Sequence, residues 1–359
     1  MIISYADDLA LIKKVVYKAG QIAKAAFLKD ELQIWDKGGG HQVTSADIAV
    51  NNYLSECLKK NRPKYGWLSE ETKDDRSRLK AKKTFVVDPI DGTKAFIDGT
   101  TDFVVSVAVI EGDYPVAAVI YNPIKNEMFE ATLGGGAKLN NSNIKVNDKQ
   151  SVKDITMIGY SRKFKQLNWP NMNCFNVNSM AYRIALVACG KADATVAFTP
   201  KSDWDIAAAQ LIATEAGAYI SNINGEIPSY ANTNTKGSGI ICAGKNLHSL
   251  LLELTYPVIK RYNTSTDKLK EFGFMATKSE DRNNVQLLHI VIGGELLDPN
   301  KSEFKDLNKV DYIGAFPNFK SAHIAWKSAA QKTVDNAHMR YFILHAHELI
   351  DPKREGIIG

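Results

Sequence analysis

The run Phe85-Val86-Val87-Asp88-Pro89-Ile90-Asp91-Gly92-Thr93 constrains this chain more than any other segment. A short, buried, β-rich stretch ends, and two carboxylates appear three residues apart. A Gly-Thr follows, whose backbone N–H groups can point at an oxyanion. Pro89 fixes φ, and Gly92 removes the Cβ that would block a phosphate. Read alone, the run also suits a tight turn.

Two further acidic segments have unusual surroundings: Trp67-Leu68-Ser69-Glu70-Glu71-Thr72 and Asp203-Trp204-Asp205-Ile206-Ala207-Ala208. If Glu70, Asp88, Asp91 and Asp205 converge, their repulsion must be offset. Two carboxylates about 4 Å apart repel by about 4 kcal/mol at an effective dielectric of about 20. A cluster of four therefore calls for cations, and an all-oxygen donor set without His or Cys indicates Mg²⁺ or Mn²⁺ rather than zinc. Taken singly, these residues have plainer readings. Asp203 or Asp205 is more often a helix N-cap, Asp47 the acidic member of a capping box, and Glu70-Glu71 solvated surface. The combination, in this order, carries the metal reading.

The patterning around these runs is that of an α/β protein. Apolar residues recur at helical spacing over 6–29, and a Gly-rich turn follows at Lys37-Gly38-Gly39-Gly40. Thr44-Ser45-Ala46-Asp47 opens a second helix through about Lys60. Phe103–Ile110 and Val116–Tyr121 read as strands joined at Gly112-Asp113, with Met128–Thr132 a third. Ile155–Tyr160 and Ala194–Phe198 read as strands, Ser179–Gly190 and Trp204–Ala216 as helices stopped by glycine. Ile240–Ala243 is a last strand of this part, and Leu247–Tyr256 a last helix.

The 359 residues, 45% apolar and 24% charged, suit a globular protein of more than one domain. A net charge of +5 over 85 charged side chains suits anionic ligands but is too weak to argue for nucleic acid. The start has no signal-peptide pattern, and no apolar run reaches about 18 residues, so neither secretion nor a membrane span is expected. Cys57, Cys174, Cys189 and Cys242 fit no metal or CxxC spacing and read as reduced, buried thiols of a cytoplasmic protein.

Val43-Thr44-Ser45-Ala46-Asp47, Leu68-Ser69-Glu70-Glu71-Thr72, Asp88-Pro89-Ile90-Asp91-Gly92-Thr93, Trp204-Asp205-Ile206-Ala207-Ala208 and Glu215-Ala216-Gly217 together resemble the inositol monophosphatase superfamily of lithium-sensitive, magnesium-dependent phosphatases. The resemblance covers roughly residues 1–257. It implies a layered α/β/α/β/α sandwich with the site between two halves. By that resemblance Glu70, Asp88 and the Ile90 carbonyl hold one metal, and Asp88, Asp91 and Asp205 a second. Gly92 and Thr93 bind the substrate phosphate, with Asp205 also at the substrate. Thr93, linked to Asp47, helps activate the attacking water beside a third, weaker site. Two or three Mg²⁺ ions are thus implied, with Mn²⁺ as a substitute, and no covalent phosphoenzyme.

Within the superfamily, three features resemble the CysQ-type 3'(2'),5'-bisphosphate nucleotidases. Lys94 follows Asp-Gly-Thr, where it would face an extra phosphate. Arg183 stands where that branch carries a base that contacts the nucleotide, although Asn178 replaces a glycine that often precedes the serine. Phe198 takes the place of the glutamate with which inositol monophosphatases hold inositol hydroxyls. Lys94 and Arg183 also have a plainer reading, as solvated surface. The implied reaction converts adenosine 3',5'-bisphosphate to AMP and phosphate by metal-activated water attack. Inositol-1-phosphate or fructose-1,6-bisphosphate hydrolysis is the alternative, and a non-catalytic role bound to RNA polymerase or RNA stays open. The expected partner is a small phosphorylated metabolite, with no membrane, no main role for nucleic acid, and a homodimer compatible with the chain.

The expected division is a phosphatase domain over 1–257, a linker over 258–284, and a small β-β-α-β domain over 285–352. This last part resembles a small uncharacterised bacterial domain. His289, His323, His338, His345 and His347 lie in it, and His345 and His347 would share one strand face. A metal pair there is conceivable, with packed or surface histidines the default.

Overall fold

Side-chain alternation along the central strands sets the layering. A computed structural model describes residues 4–28, 32–38, 41–230, 232–263, 289–298 and 303–316, with 322, 325–326, 328–330, 333 and 338–344. The chain divides into two units, Met1–Ala276 and Thr277–Gly359.

The first unit begins with α1 (Tyr5–Phe27), β1 (Ile34–Gly38), β2 (His41–Thr44), α2 (Ser45–Asn61) and β3 (Gly66–Ser69). There follow β4 (Lys83–Asp91), α3 (Thr93–Ile97), β5 (Val104–Glu111), β6 (Tyr114–Asn122), β7 (Glu127–Thr132), β8 (Ala137–Leu139) and β9 (Ser142–Asn143). The remainder comprises β10 (Thr156–Ile158), α4 (Ser161–Gln166), β11 (Asn173–Phe175), α5 (Met180–Ala188), β12 (Ala194–Ala197), α6 (Asp203–Glu215), β13 (Tyr219–Asn222), β14 (Ile240–Ala243) and α7 (Lys245–Asn263).

Strands β3 to β9 form one sheet in sequence order, and β11-β10-β12-β14-β13 form a second. On β4, β5 and β6, Phe85, Val87, Val105, Val107, Val109, Val119 and Tyr121 pack with α1 and α2. Their neighbours Val86, Ala108, Ile110, Ala118 and Ile120 pack with α5 and α6. The period of two thus buries both faces. On β14, Ile240 and Cys242 face α5 and α6, while Ile241 and Ala243 face Leu247 and Leu251 of α7. The result is the layered α/β/α/β/α sandwich expected from the sequence. The short strands β3, β8, β9 and β11 and the β1–β2 hairpin carry too little pattern to be read in advance.

Helix α7 runs seven residues past the expected end at Tyr256, with Pro257 inside it. Proline removes the hydrogen bond to the carbonyl four residues back. That carbonyl belongs to Glu253, and both Glu253 and Pro257 are exposed, so water can serve it. Val258 stays buried with the α7 core. Of the cysteines, Cys242 is buried and the other three are only partly so; all four are free.

The second unit holds β15 (His289–Glu295), β16 (Asp311–Phe316) and β17 (Met339–Leu344), in the order β16-β15-β17 and all antiparallel. Residues 325–326 and 328–330 are helical, giving the expected β-β-α-β order. The rest of the expected linker beyond Asn263, and His323, His345 and His347, lie outside the described residues. No helix among the described residues is long and apolar enough to cross a membrane.

One buried charge ties the first layer together. Asp8 of α1 is wholly buried and accepts from Arg62 Nε and Lys83 Nζ, both at 2.9 Å, and from Tyr65 Oη at 3.0 Å. Lys83 itself is buried. Removing one partner of such a set leaves an uncompensated charge. Asp8→Ala is therefore expected to lower unfolding free energy by about 3–5 kcal/mol, measured by urea denaturation; an unchanged midpoint would refute this role.

Candidate active site

Asp88 and Asp91 stand at the end of β4. Three residues apart on a regular strand, they would point to opposite faces. A β-bulge brings them to one face: Asp88 pairs with Ser106 and Asp91 with Val104, so β4 takes up one extra residue between them. Pro89 sits in this bulge, where a missing ladder N–H is tolerated. Val104 packs with α5 and α6, and the starts of those two helices meet the aspartates.

Asp91 is received by α5. Ser179 Oγ donates to its carboxylate at 2.7 Å, the Ala181 N–H at 2.6 Å and the Met180 N–H at 3.2 Å. Asp205 lies in the first turn of α6, where one oxygen accepts from the Ser202 N–H at 2.9 Å and closes a capping box. Ligand atoms of Asp88, Asp91 and Asp205 lie within 4.8 Å of one another, the one such group of three among the described residues.

Glu70 follows β3, which pairs in parallel with β4 so that Ser69 stands opposite Val87. Its N–H donates to the Val87 carbonyl at 3.2 Å, which brings Glu70 beside Asp88. Lys37 Nζ approaches Glu70 at 3.4 Å and Glu71 at 2.5 Å. A bulge in β1 aims this lysine, with Asp36 Oδ1 accepting from the Gly38 N–H at 2.7 Å.

Asp47 serves two partners. One oxygen accepts from the Thr44 N–H at 2.8 Å, completing the capping box of α2. The other lies 3.2 Å from Thr93 Oγ1, which is also 3.1 Å from the Ile90 carbonyl. Between them Gly92 takes φ +102°, where a Cβ would come within 2.9 Å of the Asp102 carbonyl and 3.2 Å of Ser179 Cβ. Glycine is thus required by backbone conformation and by the approach of α5.

Burial raises the acids of this site. Asp88 is pushed well above the ordinary carboxylate range by burial, then by Glu70 and Asp91. Asp91 is raised by burial against the hydrogen bonds from Ser179, Ala181 and Met180. Asp205 is pushed to about 6 by burial and then by Asp91. Glu70 reaches about 7 through burial, opposed by Lys37. Asp47 is also raised by burial, opposed by its Thr44 bonds. Asp203, outside the triad, is raised to about 7 by burial against the pull of Arg78.

This donor set fits a hard divalent cation. Asp88 Oδ1 is buried with no hydrogen-bond partner, a costly state for a carboxylate unless a cation takes it up. Asp88, Asp91 and Asp205 bring ligand atoms together for it, and Glu70 is near enough to raise Asp88.

A cavity of about 260 Å³ is lined by Tyr160, Lys163, Phe164, Arg183, Phe198 and Lys201, among others, and by no acid. Asn178 lines this cavity and precedes Ser179, whose hydroxyl holds Asp91, so the cavity adjoins the carboxylates, and Lys201 lowers both Asp91 and Asp205. Arg183 and Phe198 both line this cavity. Arg183 is buried, however, with Nη2 donating to Asn176 Oδ1 at 3.1 Å and Nε to the Val177 carbonyl. Lys94 is exposed on α3. No local pattern marks Lys37, Tyr160 or Lys201 as site residues; of these additions only Ser179, an N-cap residue before a helix, had a recognisable signal.

Residues 6–260 match the sequence model of the Inositol monophosphatase family. Residues 287–346 match that of a domain of unknown function, DUF4170. An inositol monophosphatase of Dictyostelium discoideum is 32% identical over 255 residues, 67% of this chain and 92% of that protein. The Nus factor SuhB of Pasteurella multocida is 32% identical over 225 residues, 58% of this chain and 82% of that protein. Among solved structures, the extragenic suppressor protein SuhB of Bartonella henselae has a TM-score of 0.61 at 26% identity, over 69% of this chain and 98% of that one.

The raised acids make a prediction for the metal-free protein. An acid whose folded pKa exceeds its unfolded value binds more protons when folded, so stability falls as pH rises from about 4 through the folded value. With Asp205 at about 6 and Glu70 at about 7, protein stripped by chelator should melt several degrees lower at pH 8 than at pH 5. A domain of about 200 residues loses about 2–4 °C per kcal/mol. Excess Mg²⁺ should raise the melting temperature more at pH 8 than at pH 5. Metal-free melting that is flat with pH would contradict the carboxylate cluster as the source.

Proposed function

The chain belongs to the inositol monophosphatase family, a family of phosphatases, and we propose that it hydrolyses a small phosphate monoester with Mg²⁺, for which Mn²⁺ can substitute. Glu70, Asp88, the Ile90 carbonyl, Asp91 and Asp205 would hold two or three such ions. When bound, these ions lower the pKa of water, polarise the phosphoryl group and stabilise the departing oxygen. The chain supplies the rest. The Gly92 and Thr93 N–H groups orient the phosphate at the start of α3. Thr93 Oγ1 accepts a proton from the attacking water and passes its own to Asp47 Oδ1, 3.2 Å away. Burial, which raises Asp47, makes that acid the better acceptor. The observation that carries this reading is the buried, unpartnered Asp88 Oδ1 inside a carboxylate triad.

For the substrate, the reading favoured is adenosine 3',5'-bisphosphate, which with water gives AMP and phosphate. Support comes from the cavity beside the carboxylates, whose basic and aromatic lining suits a second negative charge and a planar ring better than a ring of neutral hydroxyls. Phe198 offers those hydroxyls no partner. The names of the relatives favour inositol-1-phosphate as the alternative, with fructose-1,6-bisphosphate behind it. Relatives named Nus factor keep a regulatory role with RNA polymerase or RNA as a second reading. A cytoplasmic location goes with this reading.

Asp88→Asn should lower kcat/KM by about 10³-fold or more, about 4 kcal/mol of barrier, in a phosphate-release assay with Mg²⁺. Retained turnover would remove the metal mechanism, while a regulatory role would survive the substitution. A panel of adenosine 3',5'-bisphosphate, inositol-1-phosphate and fructose-1,6-bisphosphate tests the substrate; equal turnover of all three would defeat the nucleotide assignment and spare the reaction class.

A further inference from the structure

Three cations line the cavity beside the carboxylates, and they are not equivalent. Arg183 is the most buried: its Nε and Nη2 are committed to the Val177 carbonyl and the Asn176 side chain. Those two residues lead into Ser179, whose hydroxyl holds Asp91. The guanidinium carbon also lies 5.6 Å from the centre of the Tyr160 ring, and Tyr160 is 51% exposed. One side of that ring is therefore braced by a cation while much of the ring remains open to solvent. Lys163 stands on α4, three residues beyond Tyr160, and Lys201 enters the cavity from the segment between β12 and α6. Their charges act on each other, with Lys201 helping to push Lys163 down. Both ammonium groups line a cavity whose walls hold no acid, and an anion between them relieves their repulsion. Asn178 lines the cavity next to Ser179, the residue that holds Asp91, so an anion in the cavity would sit on the same molecule as a phosphate held at the carboxylates.

Resting on the nucleotide reading above, we propose that Lys163 and Lys201 form the subsite for the second phosphate of a nucleoside bisphosphate, that Tyr160 is the platform on which its base stacks, and that Arg183 is a positioning residue rather than a phosphate contact. Arg183 acts through what it holds: the Tyr160 ring on one side and the Ser179 loop on the other. This division of labour separates substrates by their second charge and their ring.

The test uses the full chain with Mg²⁺ and compares adenosine 3',5'-bisphosphate with adenosine 3'-monophosphate, which keeps the ring and lacks the second phosphate. The wild-type protein should prefer the bisphosphate by at least about tenfold in kcat/KM. Lys163→Ala should reduce that preference about tenfold, chiefly through KM. Tyr160→Ala should raise KM for both nucleotides about fivefold or more, and Tyr160→Phe should not. Arg183→Ala should lower kcat for both nucleotides and leave the preference within about twofold. Calorimetric titration of AMP into chelator-treated protein reads the subsite without turnover, and Lys163→Ala should weaken it about tenfold. A preference that survives Lys163→Ala, or one that falls as far with Arg183→Ala, overturns the assignment. If the wild-type protein hydrolyses neither nucleotide, the nucleotide reading fails and the subsite with it. If it hydrolyses both without preference, the subsite alone fails.

Discussion

Three carboxylates whose ligand atoms lie within 4.8 Å of one another are enclosed by two sheets and the helices between them. Their mutual repulsion is the constraint around which the rest of the first unit is arranged. At an effective dielectric of about 20 each close pair costs on the order of 4 kcal/mol, and burial adds to it. The fold offsets part of this with backbone. The first N–H groups of α5 point at Asp91, and that of Ser202 at Asp205. Helix starts carry partial positive charge, so the middle helical layer brings two such ends to the tip of β4. Lys201 adds formal charge near Asp91 and Asp205, and Lys37 does so beside Glu70. No lysine is among the groups that shift Asp88 most, and of the three it is the one with an orphaned oxygen. That residual imbalance is what calls for a cation.

Much of this was legible because the relevant signals are local. Turn glycines, cap residues and apolar period gave α1, α2, α5, α6 and the β5–β6 hairpin within a few residues. The bulge in β4 was not legible. Two aspartates three apart on a strand point apart by simple periodicity, and only the partner register, Ser106 and Val104, shows that they share a face. The proline between them was the available hint, since proline inside a central strand marks an irregular place. Lys37 was invisible for a related reason. Its aim depends on a bulge in a two-stranded hairpin and on Glu70 and Glu71, which lie 33 and 34 residues away. Tyr160 and Lys201 come together across two chain segments about forty residues apart, with nothing in either segment to announce the other.

Asp47 and Asp205 both close capping boxes, Asp205 at the third helical position behind the N-cap Ser202 rather than as the N-cap itself, and each has an oxygen left over. Asp47 caps α2 with one oxygen and meets Thr93 with the other. Asp205 closes the capping box of α6 while its carboxylate also joins the triad. A carboxylate has two oxygens and about four lone-pair sites, so one oxygen can be consumed by a helix start without silencing the other. In the proposed reaction the cap serves the chemistry. It fixes the side-chain torsions, so the second oxygen arrives with little conformational freedom left to lose. A capping box is therefore weak evidence against a functional acid. When the box opens a helix whose start faces a crowded strand end, as at Ser202-Asp203-Trp204-Asp205, it is the means by which that acid is held in place.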